Sequence, residues 1–313
     1  MMSRTQMVSV IIPTYKRTWE YLYRAVKSVL QQTYENVEIV VVDDSPDSFE
    51  YRNEIKEHMD ELCQVDQRVR YLTNEKNIGG SLARNRGIFE AKGFYITFLD
   101  DDDEYLPEKI AHQVKFMEEQ GCDLSFEDMT IYNDKNDVVD VRQYNDIRRF
   151  DNEYLLHYHL MKHMTGTPTF MFKTENLIHI GGFEDAKMGQ EFYLMLKAIE
   201  AGLKIRYYPI CDIKVYKHRG EAITTGKNKI NGEKSLYAFK KKYFKRLRLR
   251  ERLFIRFRHH AVMVVAYIRN HNYLRAIGSG LLALVVSPID FFGQIFGFFK
   301  RVVKGRTENK PQQ

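Results

Sequence analysis

Short apolar runs alternate with helical patterns through the first part of the chain. The runs VSVIIPTY, VEIVVVDDS, VRYLTN and FYITFLD are rich in valine and isoleucine, which is typical of buried β-strands. The segments between them, YLYRAVKSVLQQ, YRNEIKEHMDEL and GGSLARNRGIFEAKG, have the spacing or the end signals of helices. This alternation predicts βα units on a mostly parallel sheet flanked by helices, so the expected fold class is α/β.

The first predicted helix shows how these units should pack. Its apolar residues recur at helical spacing, so one face is expected to cover the sheet. These residues are Leu22, Ala25, Val26, Val29 and Leu30. Farther along, CDLSFEDMTIY and LKIRYYPICDIKVYKH predict further strands, and QEFYLMLKAIEAG predicts an amphipathic helix.

The strand signals stop near residue 232, and apolar residues then keep helical phase in a basic background. They are Leu247, Phe254, Phe257, Ala261, Val264, Val265 and Ile268. We therefore predict an α/β domain over residues 1–231, a basic, amphipathic helical region over residues 232–303 and a flexible tail over residues 304–313.

Composition and charge refine this division. A chain of 313 residues can form one large α/β domain with an appendage, and 44% hydrophobic and 29% charged residues are ordinary for a globular protein. The net charge of +6 is unevenly distributed. Between Lys240 and Arg258 ten lysines and arginines accompany one acid, Glu251, whereas residues 100–104 are all acidic.

Cysteine usage and the amino terminus bear on the compartment. Cys63, Cys122 and Cys211 lie far apart without CxxC spacing, which indicates neither a disulfide framework nor a zinc site. The apolar stretch before Pro13 is shorter than the apolar region of a signal peptide. We expect a cytoplasmic location for the α/β domain.

Two predicted strands end in acids: Asp43 and Asp44 follow one, and four consecutive aspartates, residues 100–103, follow another. Each carboxylate makes ionisation of the next one harder, so the second run is either a well-solvated turn or a site for a cation. Ligands of open parallel sheets bind outside the carboxyl ends of the strands. The two acidic ends are therefore expected to share one crevice.

Five motifs carry a family resemblance: VSVIIPTYKR, VVDDSPD, NIGGSLARNRG, FLDDDDEYLPEK and GGFED followed by GQEFYLMLKAIEAG. In this order they resemble family 2 glycosyltransferases of the GT-A fold, over about residues 7–225. The resemblance implies inverting sugar transfer from a nucleotide sugar, with UDP as the expected nucleotide. It also implies a glycan or lipid-linked acceptor of a bacterial surface polysaccharide.

The resemblance implies Mn²⁺ or Mg²⁺ as the cofactor, bound with the donor diphosphate at Asp100-x-Asp102. Asp100 would face the ribose, Asp102 would bind the metal, and Asp103 would support the acceptor or sugar side. The spacing Asp101-x-Asp103 matches equally well, so the register stays open. Such cations prefer carboxylate, water and phosphate oxygens and take few protein carboxylates.

Other positions match the family's nucleotide-binding motifs. Pro13 is expected to end strand pairing and to deliver Thr14 and Tyr15 to the crevice, where Tyr15 would stack on uracil. Asp44 would accept a hydrogen bond from the uracil imide. Arg84 would reach the nucleotide from the helix that follows the glycine pair, a helix start that favours an anion.

The general base is assigned to Glu191, which would take the proton from the acceptor hydroxyl. Relatives carry a Glu-Asp pair here, whereas this chain has Gln190 and Glu191, which leaves the reach of the carboxylate open. Glu184 and Asp185 form a competing acidic pair in the preceding turn.

His218 resembles a late histidine that completes the metal or diphosphate shell. Possible phosphate contacts nearby are Thr224, Thr225 and Lys227. His157, His159 and His163 lack metal-ligand pairing and receive no chemical role.

Residues 276–299 are almost uncharged, but Pro288 and Asp290 divide them, so a membrane-spanning helix is not expected. A basic region beside apolar helices fits peripheral attachment to an anionic membrane surface at the inner face of the cell membrane. The alternative is a helical hairpin packed on the catalytic domain. No segment resembles a nucleic-acid-binding module, so a nucleic-acid partner is not expected.

Two other functions remain open at this stage. A nucleotidyltransferase would also use an α/β sheet, acids and Mg²⁺, although no glycine-rich triphosphate loop follows the first strand. A degenerate, non-catalytic transferase could act as a scaffold, with Gln190 as the mark of lost activity.

Overall fold

The computed structural model describes residues 5–186, 188–217 and 226–296. The described chain forms two compact units. The first is drawn from Met1–His159, His163–Ala186 and Gln190–Gly220, and the second from Leu160–Lys162, Lys187–Gly189 and Glu221–Gln313. The boundary that we expected at residues 231 and 232 falls inside a helix, α8 (Gly226–Lys240).

The strands are β1 (Val8–Thr14), β2 (Val37–Asp43), β3 (Val69–Thr73), β4 (Tyr95–Phe98), β5 (Glu104–Tyr105), β6 (Leu124–Glu127), β7 (Met129–Asn133), β8 (Val138–Arg142), β9 (Met171–Lys173), β10 (Ile205–Tyr208) and β11 (Ile213–Lys217). The helices before α8 are α1 (Trp19–Leu30), α2 (Arg52–Val65), α3 (Gly80–Glu90), α4 (Lys109–Gln120), α5 (Asn152–Lys162), α6 (Thr174–His179) and α7 (Gln190–Glu200).

The main sheet has seven strands in the order β10-β6-β9-β4-β1-β2-β3. All neighbouring pairs are parallel except those of β9, which runs antiparallel to β4 and β6. The predicted mostly parallel α/β sheet is therefore confirmed. Chain order reverses at β1, which lies between β2 and β4, and ligands of such sheets bind at this switch point.

A second sheet has the order β5-β11-β7-β8. It explains why two apolar runs that look continuous in the sequence are divided in the fold. CDLSFEDMTIY forms β6 in the main sheet and β7 in the second sheet, and LKIRYYPICDIKVYKH forms β10 and β11 in the same way.

The helical pattern correctly identified the packing face of α1. Leu22, Ala25, Val26 and Val29 are fully buried against the sheet core. On the opposite surface of the sheet α3 approaches β1 closely at Gly87, where an added Cβ would lie 2.5 Å from Ile11 Cγ2. Glycine is required here because a larger side chain would push the helix away from the strand.

Pro13 does not end strand pairing as expected, because it lies inside β1 opposite Val42 of β2. The carbonyl of Thr14 accepts from Asp44 on the β2 side, whereas the carbonyl of Ile11 accepts from Leu99 on the β4 side. The backbone polar groups of successive residues in β1 point to opposite neighbouring strands. At Pro13 they point to the β4 side, beyond the last β1–β4 pair, so the missing N–H of proline does not interrupt the pairing with β2.

The second unit is helical in its described part. After α8 come a 3-10 helix (Lys241–Arg246), α9 (Leu249–Arg269), α10 (Tyr273–Val286) and α11 (Pro288–Phe296). Met263, Tyr267 and Ala276 form its buried contact between α9 and α10. Of the apolar positions that indicated this helical region, Phe257 is buried, whereas Val265 and Ile268 are about half exposed.

Candidate active site

The turn after β1 lies at the edge where β1, β2 and β4 end. Thr14 is buried and donates its hydroxyl to Asp101 Oδ2 at 2.7 Å. The Tyr15 ring is 47% exposed. Lys16 has a positive φ of 50°, and its N–H donates to the Ser45 hydroxyl at 2.8 Å. The turn is thus fixed by Asp101 and Ser45, and it leaves the Tyr15 ring accessible for stacking.

The four consecutive aspartates form a tight turn in which burial differs from residue to residue. Asp101 and Asp103 are only 6% and 2% exposed. The side chains of Asp100 and Asp102 are 36% and 18% exposed. Only Asp100 and Asp102 offer accessible carboxylates, so the geometry favours the Asp100-x-Asp102 spacing over Asp101-x-Asp103.

The Asp101 carboxylate holds the β1 turn against the acidic turn. It accepts from the Thr14 hydroxyl, from the Tyr15 N–H at 3.3 Å and from Arg17 Nε at 3.1 Å. Burial raises the pKa of Asp101 to about 6, although the Arg17 charge opposes the rise. Asp101 therefore connects the two turns instead of facing a ligand.

Asp103 also points inward, which does not match its expected place on the acceptor or sugar side. Its Oδ1 accepts from the Tyr216 N–H at 2.8 Å, so it anchors β11 beside the acidic turn. Burial raises the pKa of Asp103 well above its ordinary value, and the charges of Asp100 and Asp102 add to the rise.

Two arginines that the sequence reasoning missed contact the acidic turn. Arg17 donates from Nη2 to Asp102 Oδ2 at 2.8 Å as well as to Asp101. Burial lowers the pKa of Arg17, but the charges of the two aspartates outweigh this effect and raise it. Arg24 donates to the Asp102 carbonyl, and its Nε lies 3.3 Å from the Glu104 carboxylate. The signal for Arg17 was available, since it directly follows the PTYK turn.

Arg84 on α3 links the acidic turn to α7. Its Nη2 donates to Asp100 Oδ1 at 2.5 Å, and its Nη1 donates to Gln190 Oε1 at 3.0 Å. The Arg84 side chain is only 12% exposed, and its guanidinium lies 5.6 Å from the centre of the Phe183 ring. Gln190, which differs from the family pattern, is therefore the residue that ties α7 to this arginine.

Glu191 is the second residue of α7 and is half-buried. Within residues 5–186, 188–217 and 226–296, its carboxylate makes no hydrogen bond or ion pair with another side chain. The competing acid Glu184 is instead paired with Lys197 at 3.1 Å. Of the two, Glu191 is the carboxylate that remains available to a ligand.

Asp44 is buried and committed to its own chain rather than open to a base. Its carboxylate accepts from Asn74 Nδ2 at 2.8 Å, from the Ile78 N–H at 2.9 Å and from the Gly79 N–H at 2.8 Å. Gly79 has a φ of 91°, which a glycine adopts without strain. The anion that the glycine turn before α3 was expected to bind is thus supplied by Asp44 itself.

A buried polar cluster lies in the core next to the acidic turn. Lys109 Nζ donates to Thr97 Oγ1 at 2.8 Å and lies 4.2 Å from the centre of the Tyr105 ring. Burial lowers the pKa of Lys109 to about 8. Glu127 is fully buried, and burial raises its pKa well above the ordinary value despite the Lys109 charge. The Tyr105 hydroxyl donates to the Phe98 carbonyl at 2.5 Å, which fixes the end of β4.

The residues available for a divalent cation are Asp100 and Asp102. Two carboxylates suit the small number that Mg²⁺ or Mn²⁺ takes from a protein, and each of these two is bonded to an arginine. The described ranges contain no group of three or more histidine, cysteine or acidic side chains arranged to hold a metal. His218, Thr224 and Thr225 lie outside the described residues, as does the side chain of Lys227.

A cavity of about 740 Å³ belongs to the second unit, and none of the predicted site residues lines it. Its lining includes Phe254, Phe257, Val265 and Ile289. The acidic edge of the first unit, rather than this cavity, is therefore the candidate active site.

The fold is of the GT-A type. S. aureus TarS, solved as residues 1–349 in complex with UDP-GlcNAc, superposes with a TM-score of 0.57 at 17% identity over 89% of this chain and 91% of that one. The likeness confirms the predicted fold. The model of the family described as glycosyl transferase family 2 matches residues 9–178, more than half of the chain. The chain belongs to this family, as its motifs indicated.

Two relatives match part of the chain. An uncharacterized glycosyltransferase of Rickettsia felis is 41% identical over 133 residues, which are 42% of this chain and 21% of that protein. Escherichia coli WfaP, a UDP-Glc:alpha-D-GlcNAc-diphosphoundecaprenol beta-1,3-glucosyltransferase, is 37% identical over 131 residues, 41% of this chain and 48% of its own length. The matched region spans less than half the length of both relatives.

Proposed function

We propose that this protein is an inverting glycosyltransferase that moves a sugar from a UDP-linked donor to a hydroxyl of a lipid-linked glycan. It would act in surface-polysaccharide synthesis at the cytoplasmic face of the cell membrane, with catalysis in the first unit. Family membership supports sugar transfer, and the UDP-sugar and the lipid-linked acceptor in the names of TarS and WfaP support the substrate classes.

The observation that carries the proposal is the bridge made by Arg84. Its two hydrogen bonds hold Asp100 of the acidic turn beside Gln190, whose neighbour is Glu191. The donor side and the base side of the reaction are thereby held at one edge by rigid elements. Such positioning would lower the barrier to displacement at the anomeric carbon.

The donor would lie along the turns after β1 and β4. The exposed Tyr15 ring would stack on uracil, while Thr14 and Asp101 hold the turn that presents it. Asp100 would accept from the ribose hydroxyls. Asp44 would act indirectly, by fixing the glycine turn before α3 through the Ile78 and Gly79 N–H groups.

Asp102 would hold Mn²⁺ or Mg²⁺ at the donor diphosphate. When bound, such a cation neutralises the charge that develops on the departing diphosphate. Arg17 already neutralises part of the charge of Asp102 at 2.8 Å, so it lies where the diphosphate would approach. A contribution of His218 to this shell remains part of the proposal.

Glu191 would take the proton from the acceptor hydroxyl as that oxygen attacks the anomeric carbon. A general base must reach the proton that it removes. Glu191 suits this role better than Glu184, because within the described residues its carboxylate makes no hydrogen bond or ion pair with another side chain, whereas Glu184 is paired with Lys197.

Calorimetric binding of UDP, GDP and CMP to the full chain, each with and without Mn²⁺, tests the donor site. We expect metal-dependent binding of UDP that is lost in Asp102→Asn. Failure of every nucleotide to bind would contradict the donor site and leave the acidic turn as a structural element that Arg17 and Arg84 hold in place.

Glu191→Gln tests the base, with Glu184→Gln as the matched control. We expect Glu191→Gln to bind UDP normally but to lose transfer from UDP-sugars to lipid-linked acceptors, whereas Glu184→Gln retains transfer. Full transfer by Glu191→Gln would remove this residue from the mechanism. Binding of UDP without turnover of any sugar donor by the unmodified chain would favour the scaffold alternative.

A further inference from the structure

The second unit exposes a stripe of apolar side chains on each of α10 and α11, and we call the two stripes together the apolar face. On α10 the stripe consists of Leu274, Ile277, Leu281 and Val285, which are 85%, 62%, 60% and 77% exposed. On α11 it consists of Ile289, Phe292 and Phe296, which are 78%, 51% and 71% exposed. The spacing of three and four residues places each set on one side of its helix. Exposed stripes of this size mark a surface with a partner.

The apolar face does not form a single spanning helix. Among the residues that the structure describes, no individual helix is long and apolar enough to cross a membrane. The pair Tyr273–Val286 and Pro288–Phe296 meets that criterion only when taken together, and the two helices are bent by 113°.

The bend between α10 and α11 is built by specific polar contacts. The Ser287 hydroxyl donates to Asp290 Oδ2 at 2.6 Å, and Ser287 also accepts the first helical hydrogen bond of α11, from the Phe291 N–H at 3.0 Å. Arg250 at the start of α9 donates to both oxygens of Asp290, at 2.6 Å for Nη2 to Oδ1. The one acid in this apolar stretch is thus neutralised by an arginine from a basic segment.

That basic segment lies next to the apolar face because Arg250 joins the two. Residues 240–258 contain ten lysines and arginines and a single acid, Glu251. Several of the basic side chains are exposed, namely Lys241, Lys242, Lys245, Arg246, Arg248 and Arg256. Cations that flank an exposed apolar helix match the anionic headgroups and the acyl boundary of a lipid leaflet.

We propose that the second unit binds the surface of an anionic phospholipid leaflet, with the apolar face inserted among the acyl chains and the basic segment on the headgroups. A second copy of the chain fits this face less well. A symmetric dimer across it would bring two basic segments towards each other, which like-charge repulsion opposes. The leaflet, in contrast, supplies the opposite charge.

Flotation of the full chain with vesicles of phosphatidylcholine alone or with added phosphatidylglycerol tests the proposal. No sugar donor is needed, so the result is independent of the proposed activity. We expect at least tenfold tighter binding to the vesicles that contain phosphatidylglycerol. This preference should be lost in 0.5 M salt, because the Debye length is then on the order of only a few ångströms and the charges are screened.

The double variant Leu274→Glu, Leu281→Glu should weaken vesicle binding at least tenfold. Val65→Glu is the matched control, because Val65 on α2 of the first unit is as exposed as Leu274, at 85%, and this control should bind vesicles normally. The double variant Lys241→Glu, Lys242→Glu should reduce the preference for phosphatidylglycerol. Circular dichroism and thermal unfolding of each variant check that the chain remains folded.

Three results would overturn the proposal. They are a lack of binding to either vesicle, unchanged binding by the Leu274→Glu, Leu281→Glu variant, and equal loss of binding in Val65→Glu. Analytical ultracentrifugation tests for a second copy of the chain on the apolar face. A dimer of the unmodified chain that is lost in the Leu274→Glu, Leu281→Glu variant, without any vesicle binding, would assign the apolar face to that second copy.

Discussion

Arg17 Nη2 lies 2.8 Å from Asp102 Oδ2, so an arginine of the chain already bonds the carboxylate assigned to the metal. The same guanidinium reaches Asp101 through Nε at 3.1 Å. Together with Arg84 on Asp100, this arginine accounts for how four consecutive aspartates are tolerated at the end of a buried strand. A divalent cation at Asp102 would add to, or compete with, these two positive charges.

Arg17→Gln should therefore alter cation and nucleotide binding in opposite directions. Removal of the arginine charge should raise the affinity for Mn²⁺ alone by roughly tenfold, because a charge-assisted hydrogen bond contributes about 1.5–3 kcal/mol. The affinity for UDP should fall, because the diphosphate loses a cation. Calorimetry of Mn²⁺ and of UDP measures both effects. Lys16→Gln, which removes a neighbouring exposed charge, is the control, and an unchanged Mn²⁺ affinity in Arg17→Gln would contradict competition at Asp102.

Arg84→Lys should impair transfer far more than stability. A lysine retains the charge but lacks the planar fork that bonds Asp100 and Gln190 at once. Loss of this bridge should reduce kcat on the order of 100-fold, as expected for a small displacement between reacting groups. Arg70→Lys is the matched control, since Arg70 pairs with Glu90 at the surface at 2.9 Å. Undiminished kcat in Arg84→Lys would show that the bridge does not position the site.

Asp101 should make the stability of the chain depend on pH. Its pKa of about 6 in the fold is above the ordinary value of 3.8, so its stabilising contribution is complete below pH 3.8 and is lost as pH rises through 6. The whole rise corresponds to about 3 kcal/mol between low and high pH.

Asp101→Asn removes this titration. The free energy of unfolding of the unmodified chain, relative to that of Asp101→Asn, should therefore decrease by about 2 kcal/mol between pH 4 and pH 7. Urea unfolding at several pH values measures the difference, with Asp47→Asn at an exposed position as the reference substitution. A difference that increases with pH would mean that the Asp101 carboxylate is stabilised in its charged form.

Gly87→Ala should destabilise the first unit. The new Cβ would lie 2.5 Å from Ile11 Cγ2 and 3.4 Å from Val42 Cγ2, so α3 would have to move away from β1 and β2. Overpacking of this kind costs about 1–3 kcal/mol. Gly278→Ala makes the same change in α10 where no atom lies within 4 Å, and it should not destabilise. Thermal unfolding compares the two, and equal stability of the variants would contradict close packing at Gly87.

The sequence predicted those strands and helices of the first unit whose local apolar pattern matches their burial in the fold. The run VSVIIPT is buried along nearly its whole length in β1, and the spaced apolar residues of α1 face the core. The short strands β5 and β9 gave no such signal. They contain two and three residues, and partners distant in the sequence, β11 for β5 and β4 with β6 for β9, hold them in place.

The candidate site shows the same division. The motifs correctly marked the edge at which Thr14, Asp44 and the acidic turn meet, because parallel strands deliver their carboxyl ends to one side of the sheet. They could not assign Asp44 to the backbone of Ile78 and Gly79, because that bond depends on how the glycine turn before α3 folds over β2.

The sequence by itself determined the family, the mostly parallel sheet and the residue types at the acidic edge, because hydrophobic period and motif order are local properties of the chain. Only the tertiary structure decided which aspartates are accessible, that Arg17 and Arg84 balance their charge, and that Arg84 links Gln190 of α7 to Asp100. Burial and ion pairing depend on residues distant in the sequence, and only packing brings those residues within hydrogen-bond distance.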